Sequence, residues 1–237
     1  WQRYRQQLHL SPQPQQLAVV GGGAAGVELA FALQFALSRI NPASQVTLFA
    51  AEPGLLPGHN PKVRAAVART LLQRGIKLQL KRVTGHSDGL LPSSDQVIPF
   101  DLVLAAPGAQ AASWLRDSGL DLDPGGFISV NGYHQSTSHA NVFAAGDVCA
   151  RSATGFSRSG VHAVKAGPVL AANLLSIMVG SSKLRSYTPR ATSLYLLATG
   201  PKHAIASWGG WCAQGAWVWR WKDWIDRGFI RRQSLLS

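Results

Sequence analysis

The residues with the clearest chemical meaning are three glycines, Gly21, Gly23 and Gly26, in the stretch "LAVVGGGAAGVELAFAL". They stand at G-x-G-x-x-G spacing. In that pattern the first glycine permits a tight turn, the second lets backbone approach a pyrophosphate, and the third lets a helix pack closely on a strand. The apolar run 17–20 predicts a buried strand. Residues 24–40, rich in Ala, Leu and Phe, predict a helix, with Ala30 at the next close-packing position. The N–H groups from Gly22 through Ala24 and Ala25 to Gly26 would face phosphates, where the helix dipole favours negative charge. The pattern points to a dinucleotide; a glycine-rich turn with no ligand is the plainer alternative.

Two acids lie near this loop. In a site for a nicotinamide nucleotide without a 2′-phosphate, an acidic residue ends the second strand and accepts from the ribose hydroxyls. Here the strand "VTLFA" ends at Ala50, and Glu52 follows two positions on. Glu52 either reaches the ribose from the loop or is a solvated acid, and the sequence leaves both open. No Arg follows directly to hold a 2′-phosphate, so NAD is slightly favoured over NADP. Glu28 is a charge in an otherwise apolar helix start, and an acid near a helix N-terminus gains from the dipole.

The elements that must position these residues alternate. After the first helix, "NPAS" breaks the pattern and "QVTLFA" predicts a second strand. "PGLLPGHNP" reads as a loop, and residues 62–74 as a helix with Val63, Ala66, Val67, Thr70 and Leu71 inward. "IKLQLKRV" predicts a third strand, "GHSDGLLPSSDQ" a turn region, and "FDLVLAAPGA" a fourth strand whose closing loop adds Gly108 to the candidate cofactor residues. This order predicts an α/β fold with a parallel-sheet dinucleotide-binding domain. The expected organisation is a linker over 1–16, the NAD(P)H-binding domain over 17–108, a further segment over 109–186, and C-terminal strands with a Trp-rich helix over 187–237.

Residues 126–150 carry "STSHANVFAAGD", a predicted short strand over 141–144 ending in Gly146 and Asp147. This resembles the second flavin-binding signature of FAD-dependent pyridine nucleotide-disulfide oxidoreductases. "GVHAVKAGPVLAANLL" is similar to the helix that faces the isoalloxazine ring in that family. "SLYLLATGPKHAIASWGGW" and "WVWRWKDWIDRGFIRR" resemble the C-terminal strands and helix of the type II NADH dehydrogenase-like members, in particular the subgroup fused upstream of selenide, water dikinase.

The resemblance implies that 109–186 is the second segment of an FAD-binding domain and that 187–237 is a small α+β region. Asp147 would lie near the ribityl–pyrophosphate arm of FAD, with a turn or N-cap role as its plain reading. His162 or Lys165 would touch the pyrimidine edge, although a solvated Lys165 is nearly as good a reading, and Ala163 beside them is a further candidate cofactor residue. Glu28 would sit beside the nicotinamide. The family also implies a separate N-terminal FAD half with its own G-x-G-x-x-G. This sequence has one such motif, upstream of its AGD, which is therefore the nicotinamide motif, and the chain reads as a piece of a longer polypeptide. The expected activity of the intact protein is hydride transfer from NAD(P)H to FAD and on to an acceptor such as a quinone. A non-catalytic dinucleotide-binding regulatory or interaction domain is the alternative.

At 237 residues and 46% hydrophobic, the chain has material for one large or two small domains. Cys149 and Cys212 form no paired motif, which disfavours disulfide reduction and fits a reducing compartment. No metal ligand pattern and no catalytic side chain stand out. The net charge of +12 includes Lys62, Arg64, Arg69, Arg74, Lys77, Lys81 and Arg82, with no acid between Pro53 and Ser87. Without a nucleic-acid module this reads as a solvated face, and no nucleic-acid partner is expected. Six of the eight tryptophans fall between Trp208 and Trp224. On a helix, Trp217, Trp221, Trp224, Ile225 and Gly228 share a face, beside Arg220, Lys222, Arg227, Arg231 and Arg232. That face either packs on the protein's own C-terminal strands or lies on an anionic membrane surface. No leader peptide and no uncharged apolar run of membrane-spanning length are visible. A cytoplasmic location is expected, with peripheral contact at the inner membrane face as its variant.

Overall fold

The computed structural model describes residues 2, 4, 6, 8, 13–92, 96–151, 159–190 and 192–234. Contacts divide the chain into two units, one made of 1–108 and 194–237, the other of 109–193.

The first unit is built on a four-stranded parallel sheet in the order β3-β2-β1-β6, formed by β1 (Gln16–Val20), β2 (Gln45–Phe49), β3 (Lys77–Gln79) and β6 (Leu102–Ala105). The expected α/β fold is thus present. Leu17, Val19, Val46 and Leu48 are fully buried, each worth about 2 kcal/mol in transfer from water. Strand order reverses direction at β1, and open α/β sheets place ligand crevices at the carboxyl ends of strands where that happens.

Helix α1 (Ala24–Ser38) follows β1 and buries Val27, Ala30, Phe31 and Leu37 at helical spacing. Its one buried amide, Gln34, is satisfied twice: Nε2 donates to the Ser44 carbonyl at 3.1 Å and Oε1 accepts from the Val46 N–H at 2.8 Å. Helix α2 (Pro61–Gln73) is opened by Asn60, whose side chain accepts from the Lys62 N–H at 2.8 Å, and by Pro at its first position. It buries Val63, Val67, Thr70 and Leu71.

Two local expectations change. The region read as a turn after β3 is an antiparallel hairpin of β4 (Val83–His86) and β5 (Gly89–Pro92). The anticipated strand over 141–144 is only an isolated bridge, between Gln135 and Phe143.

The chain returns to the first unit as an antiparallel sheet, β9 (Leu194–Ala198), β10 (Ala204–Trp208) and β11 (Trp211–Gly215), followed by helix α4 (Ala216–Ser234). Val218 is fully buried against Ala204 and Ala206, with Trp219 packed beside them. The second unit holds β7 (Ile128–Val130), paired in parallel with β8 (Cys149–Arg151), and helix α3 (Gly160–Met178). Its small core is Leu115, Ile128, Val130, Ala144 and Cys149.

Candidate functional site

The glycine loop is wedged between strand ends. The Gly21 N–H donates to the Phe49 carbonyl at 2.8 Å, and the Gly22 carbonyl accepts from the Leu56 N–H at 2.7 Å. Gly21 adopts φ +132°, and a Cβ there would lie 2.0 Å from the Ala106 carbonyl oxygen. A Cβ at Gly26 would lie 1.9 Å from the Gly21 carbonyl oxygen, and one at Gly22 would lie 2.7 Å from the Ala50 methyl group. These three glycines are required by the protein's own packing.

Gly23 differs. Its φ of −75° suits any residue, and a Cβ there would meet nothing within 4 Å. Gly23 is the N-cap of α1, with no side chain capping the helix. The position therefore presents open space at a helix N-terminus with uncapped N–H groups, which is what an approaching pyrophosphate requires. The residues present fit such a group. Ala24 and Ala25 begin the helix, and neither projects a side chain that would fill the space.

Gly108, at φ +104° and exposed, follows β6 by three residues with open space around it. Glu52 is exposed in the turn after β2. The loop beyond it is held by a residue the sequence had assigned to a solvated basic face. Arg64 Nε donates to the Leu55 carbonyl at 2.8 Å and a terminal nitrogen donates to the Pro53 carbonyl at 3.2 Å.

The dipole reading of Glu28 is corrected. The first turn of α1 contains no acid, and Glu28 falls in the second turn. Its Oε1 accepts from the Ala198 N–H at 2.8 Å and lies 3.9 Å from Lys222 Nζ. The carboxylate thus ties α1 to β9 and α4, a role with no local signal in the sequence because its partner is 170 residues away.

In the second unit, Gly146 at φ +77° opens a short 3-10 turn through Asp147 to Val148. Asp147 is exposed. A Cβ on Gly146 would lie 3.5 Å from the Ala163 methyl group, so the turn and the first turn of α3 meet there. Lys165 is exposed on α3. His162 is buried, with Nδ1 3.1 Å from the Tyr187 hydroxyl. The ring is thus engaged inside the unit. Burial, with Lys165 adding to it, holds the His162 imidazole below its ordinary value.

The tryptophan face is also redrawn. Trp217 and Trp224 are 48% and 70% exposed while Val218 is fully buried, so the helix packs through Val218 with Trp219 beside it, and Trp217 and Trp224 stand outside. Trp217 stacks on Trp221 at 6.5 Å between ring centroids. Two of the flanking cations are paired one turn away, Lys222 with Asp226 at 3.0 Å and Arg227 with Asp223 at 2.8 Å.

Set beside known proteins, residues 3–168 match the family model for pyridine nucleotide-disulphide oxidoreductases. The chain belongs to this family. Among relatives of the pyridine nucleotide-disulphide oxidoreductases, ferroptosis suppressor protein 1 of Xenopus tropicalis is 31% identical over 210 residues, covering 82% of this chain and 54% of that protein. The type II NADH:quinone oxidoreductase of Haemophilus influenzae is 30% identical over 146 residues, covering 56% of this chain and 33% of that protein. The water-forming NADH oxidase of Lactobacillus brevis bound to NADH shares the fold, with a TM-score of 0.61 at 21% identity over 88% of this chain and 46% of that one. The chain spans about half the length of the ferroptosis suppressor proteins it matches.

Proposed function

We propose that the intact protein is an FAD-dependent NAD(P)H dehydrogenase that passes hydride from the nicotinamide to the flavin and electrons on to a quinone. The observation that carries this reading is the contrast within the glycine motif: Gly21 and Gly26 are closed by the protein's own backbone, whereas Gly23 faces open space at an uncapped helix start. Family membership supports the reaction class, and the name of the Haemophilus relative supports the acceptor.

The roles follow from placement. The N–H groups of Gly22 to Gly26 bind the nicotinamide dinucleotide's pyrophosphate. Glu52, exposed beyond β2, is placed to meet the adenosine ribose, and Gly108 leaves room at the end of β6. Asp147 accepts from hydroxyls of the flavin's ribityl arm. Ala163 and the neighbouring N–H groups of α3 face its pyrimidine edge, with Lys165 supplying positive charge. A bound flavin supplies the relay between a two-electron donor and the acceptor. The C-terminal sequence further supports the subgroup fused upstream of selenide, water dikinase. The exposed Trp217 and Trp224 beside Arg220, Arg231 and Arg232 support peripheral contact with an anionic membrane surface.

The test is NADH oxidation by the intact protein with a short-chain quinone. Flavin-dependent turnover that vanishes in Gly23→Val supports the reading. Nucleotide binding without turnover would instead support a regulatory dinucleotide-binding domain.

A further inference from the structure

The second unit holds a cavity of about 10 Å3, lined among the described residues by His134, Gly146, Cys149, Ser159, His162, Ala163, Ala166 and Tyr187. That volume admits one water molecule and nothing larger. Two polar atoms of the lining residues, His134 Nε2 and Ser159 Oγ, are buried with no hydrogen-bond partner among the described residues. His134 is 1% exposed.

The backbone at His134 is unusual. It sits at φ +62°, a conformation few non-glycine residues adopt, with a bulky ring buried. His134 and Ala144 exchange two hydrogen bonds: the Ala144 N–H donates to the His134 carbonyl at 2.9 Å, and Nδ1 lies 3.0 Å from the Ala144 carbonyl. A carbonyl only accepts, so Nδ1 carries the proton. In the neutral ring Nε2 is then a lone-pair acceptor. Ser159 is the N-cap of α3, yet its hydroxyl makes no capping bond. Leaving both atoms dry would cost about 1–3 kcal/mol each.

We propose that this cavity is a built site for a single neutral water, which donates to His134 Nε2 and bonds to Ser159 Oγ, joining the turn that carries His134, itself bonded to Ala144, to the N-cap of α3. The chemistry excludes other occupants. An anion cannot donate to a lone pair. A cation would face the positive end of a helix with no carboxylate among the lining residues. An apolar guest would leave both polar atoms unsatisfied. Burial, with Arg151 adding to it, favours the neutral imidazole that the site needs. A role in holding Asp147 and α3 in register for a flavin rests on the function proposed above. The water site itself does not.

The experiment is oxygen-17 relaxation dispersion on the full chain, paired with nitrogen-15 spectra of its histidines. The expected result is a long-lived internal water that disappears in Ala166→Val, where the added methyl groups fill the space, and a His134 protonated on Nδ1 with Nε2 hydrogen-bonded. A dispersion amplitude unchanged in folded Ala166→Val, or one that tracks chloride concentration, overturns the proposal. Should that variant not fold, the wild-type spectrum decides alone: an Nε2 resonating as an unbonded nitrogen overturns it, and a bonded one sustains it. Neither readout depends on flavin or turnover.

Discussion

At the scale of single residues, the glycine motif divides into positions closed by the fold and one, Gly23, left open at a helix start. Gly26→Ala forces a methyl group onto the Gly21 carbonyl and should destabilise the protein by about 1–3 kcal/mol, read as a lower midpoint in urea. Gly23→Val should leave that midpoint near wild type, since nothing stands within 4 Å. Calorimetry with NADH should show at least a tenfold loss of affinity. The same affinity in a folded variant would place the nucleotide elsewhere. The G-x-G-x-x-G spacing already assigns the turn to Gly21, the open approach to Gly23 and the close packing to Gly26, and the structure bears out that division. His134 and Tyr187 were invisible in the sequence, because burial of a lone His has no spacing signature.

The two buried histidines of the second unit also set a pH dependence. Both His134 and His162 are held below the ordinary histidine value of 6.5. The unfolded chain therefore binds more protons than the folded one as pH falls below about 6.5, and stability declines through that window toward the lower folded values. Above it these groups contribute no slope. Burial dominates at both rings, Arg151 and Lys165 add to it, and the hydrogen bond to the Ala144 carbonyl opposes it in part at His134. Thermal melts from pH 7.5 to 5 should show a falling midpoint, reduced in His162→Gln. A flat profile would count against burial of these rings.

At the scale of elements, Glu28 links α1 to the C-terminal sheet. Glu28→Ala removes a carboxylate acceptor from the Ala198 N–H and an ionic neighbour from Lys222. Half-exposure moderates the loss to about 1–2 kcal/mol, measurable by urea denaturation. Glu28→Gln should recover most of it, because the amide oxygen still accepts. The helices and parallel strands were legible because apolar periodicity and Asn-Pro breaks are local. The hairpin of β4 and β5 was missed although Asp88-Gly89 carries a hairpin signal, since polar residues around it read as one long loop. The tail was only partly legible. Aromatic spacing marked a tryptophan face and left open what it meets, whereas nothing in the spacing marked Val218 as the buried anchor. Trp224→Ala should accordingly change stability by less than about 0.5 kcal/mol. If the tail meets membranes, the same variant should reduce co-sedimentation with anionic vesicles at low salt.

At the scale of the whole molecule, helix α3 presents Val164, Leu174, Leu175, Ile177 and Met178 to solvent. It is long and apolar enough to cross a bilayer by length and composition alone, although Lys165 and Asn173 interrupt it. Asn173 is fully buried, its Nδ2 donating to the Tyr133 and Arg185 carbonyls at 2.8 and 2.9 Å. The chain spans about half the length of the relatives it matches, and under the proposed function this apolar face belongs to one part of a flavin domain. The chain by itself should then purify without FAD, judged by its visible absorbance. A stoichiometric yellow chromophore would show that the site is complete without that segment.

The first unit leaves the chain at Gly108 and resumes at Leu194, and this has a consequence for synthesis. Strand β1 emerges from the ribosome long before β9 and α4, which cover its helices. Until then Glu28 has no Ala198 to bind, and the intervening 85 residues must be made first. Closing such a loop is entropically mild, yet it is slow to begin at about 5–20 residues per second of elongation. The second unit, whose sequence is continuous, can fold while the first still waits for its end. A ribosome stalled where Ser193 has just cleared the exit tunnel should therefore carry a protease-resistant second unit beside an unfinished first one.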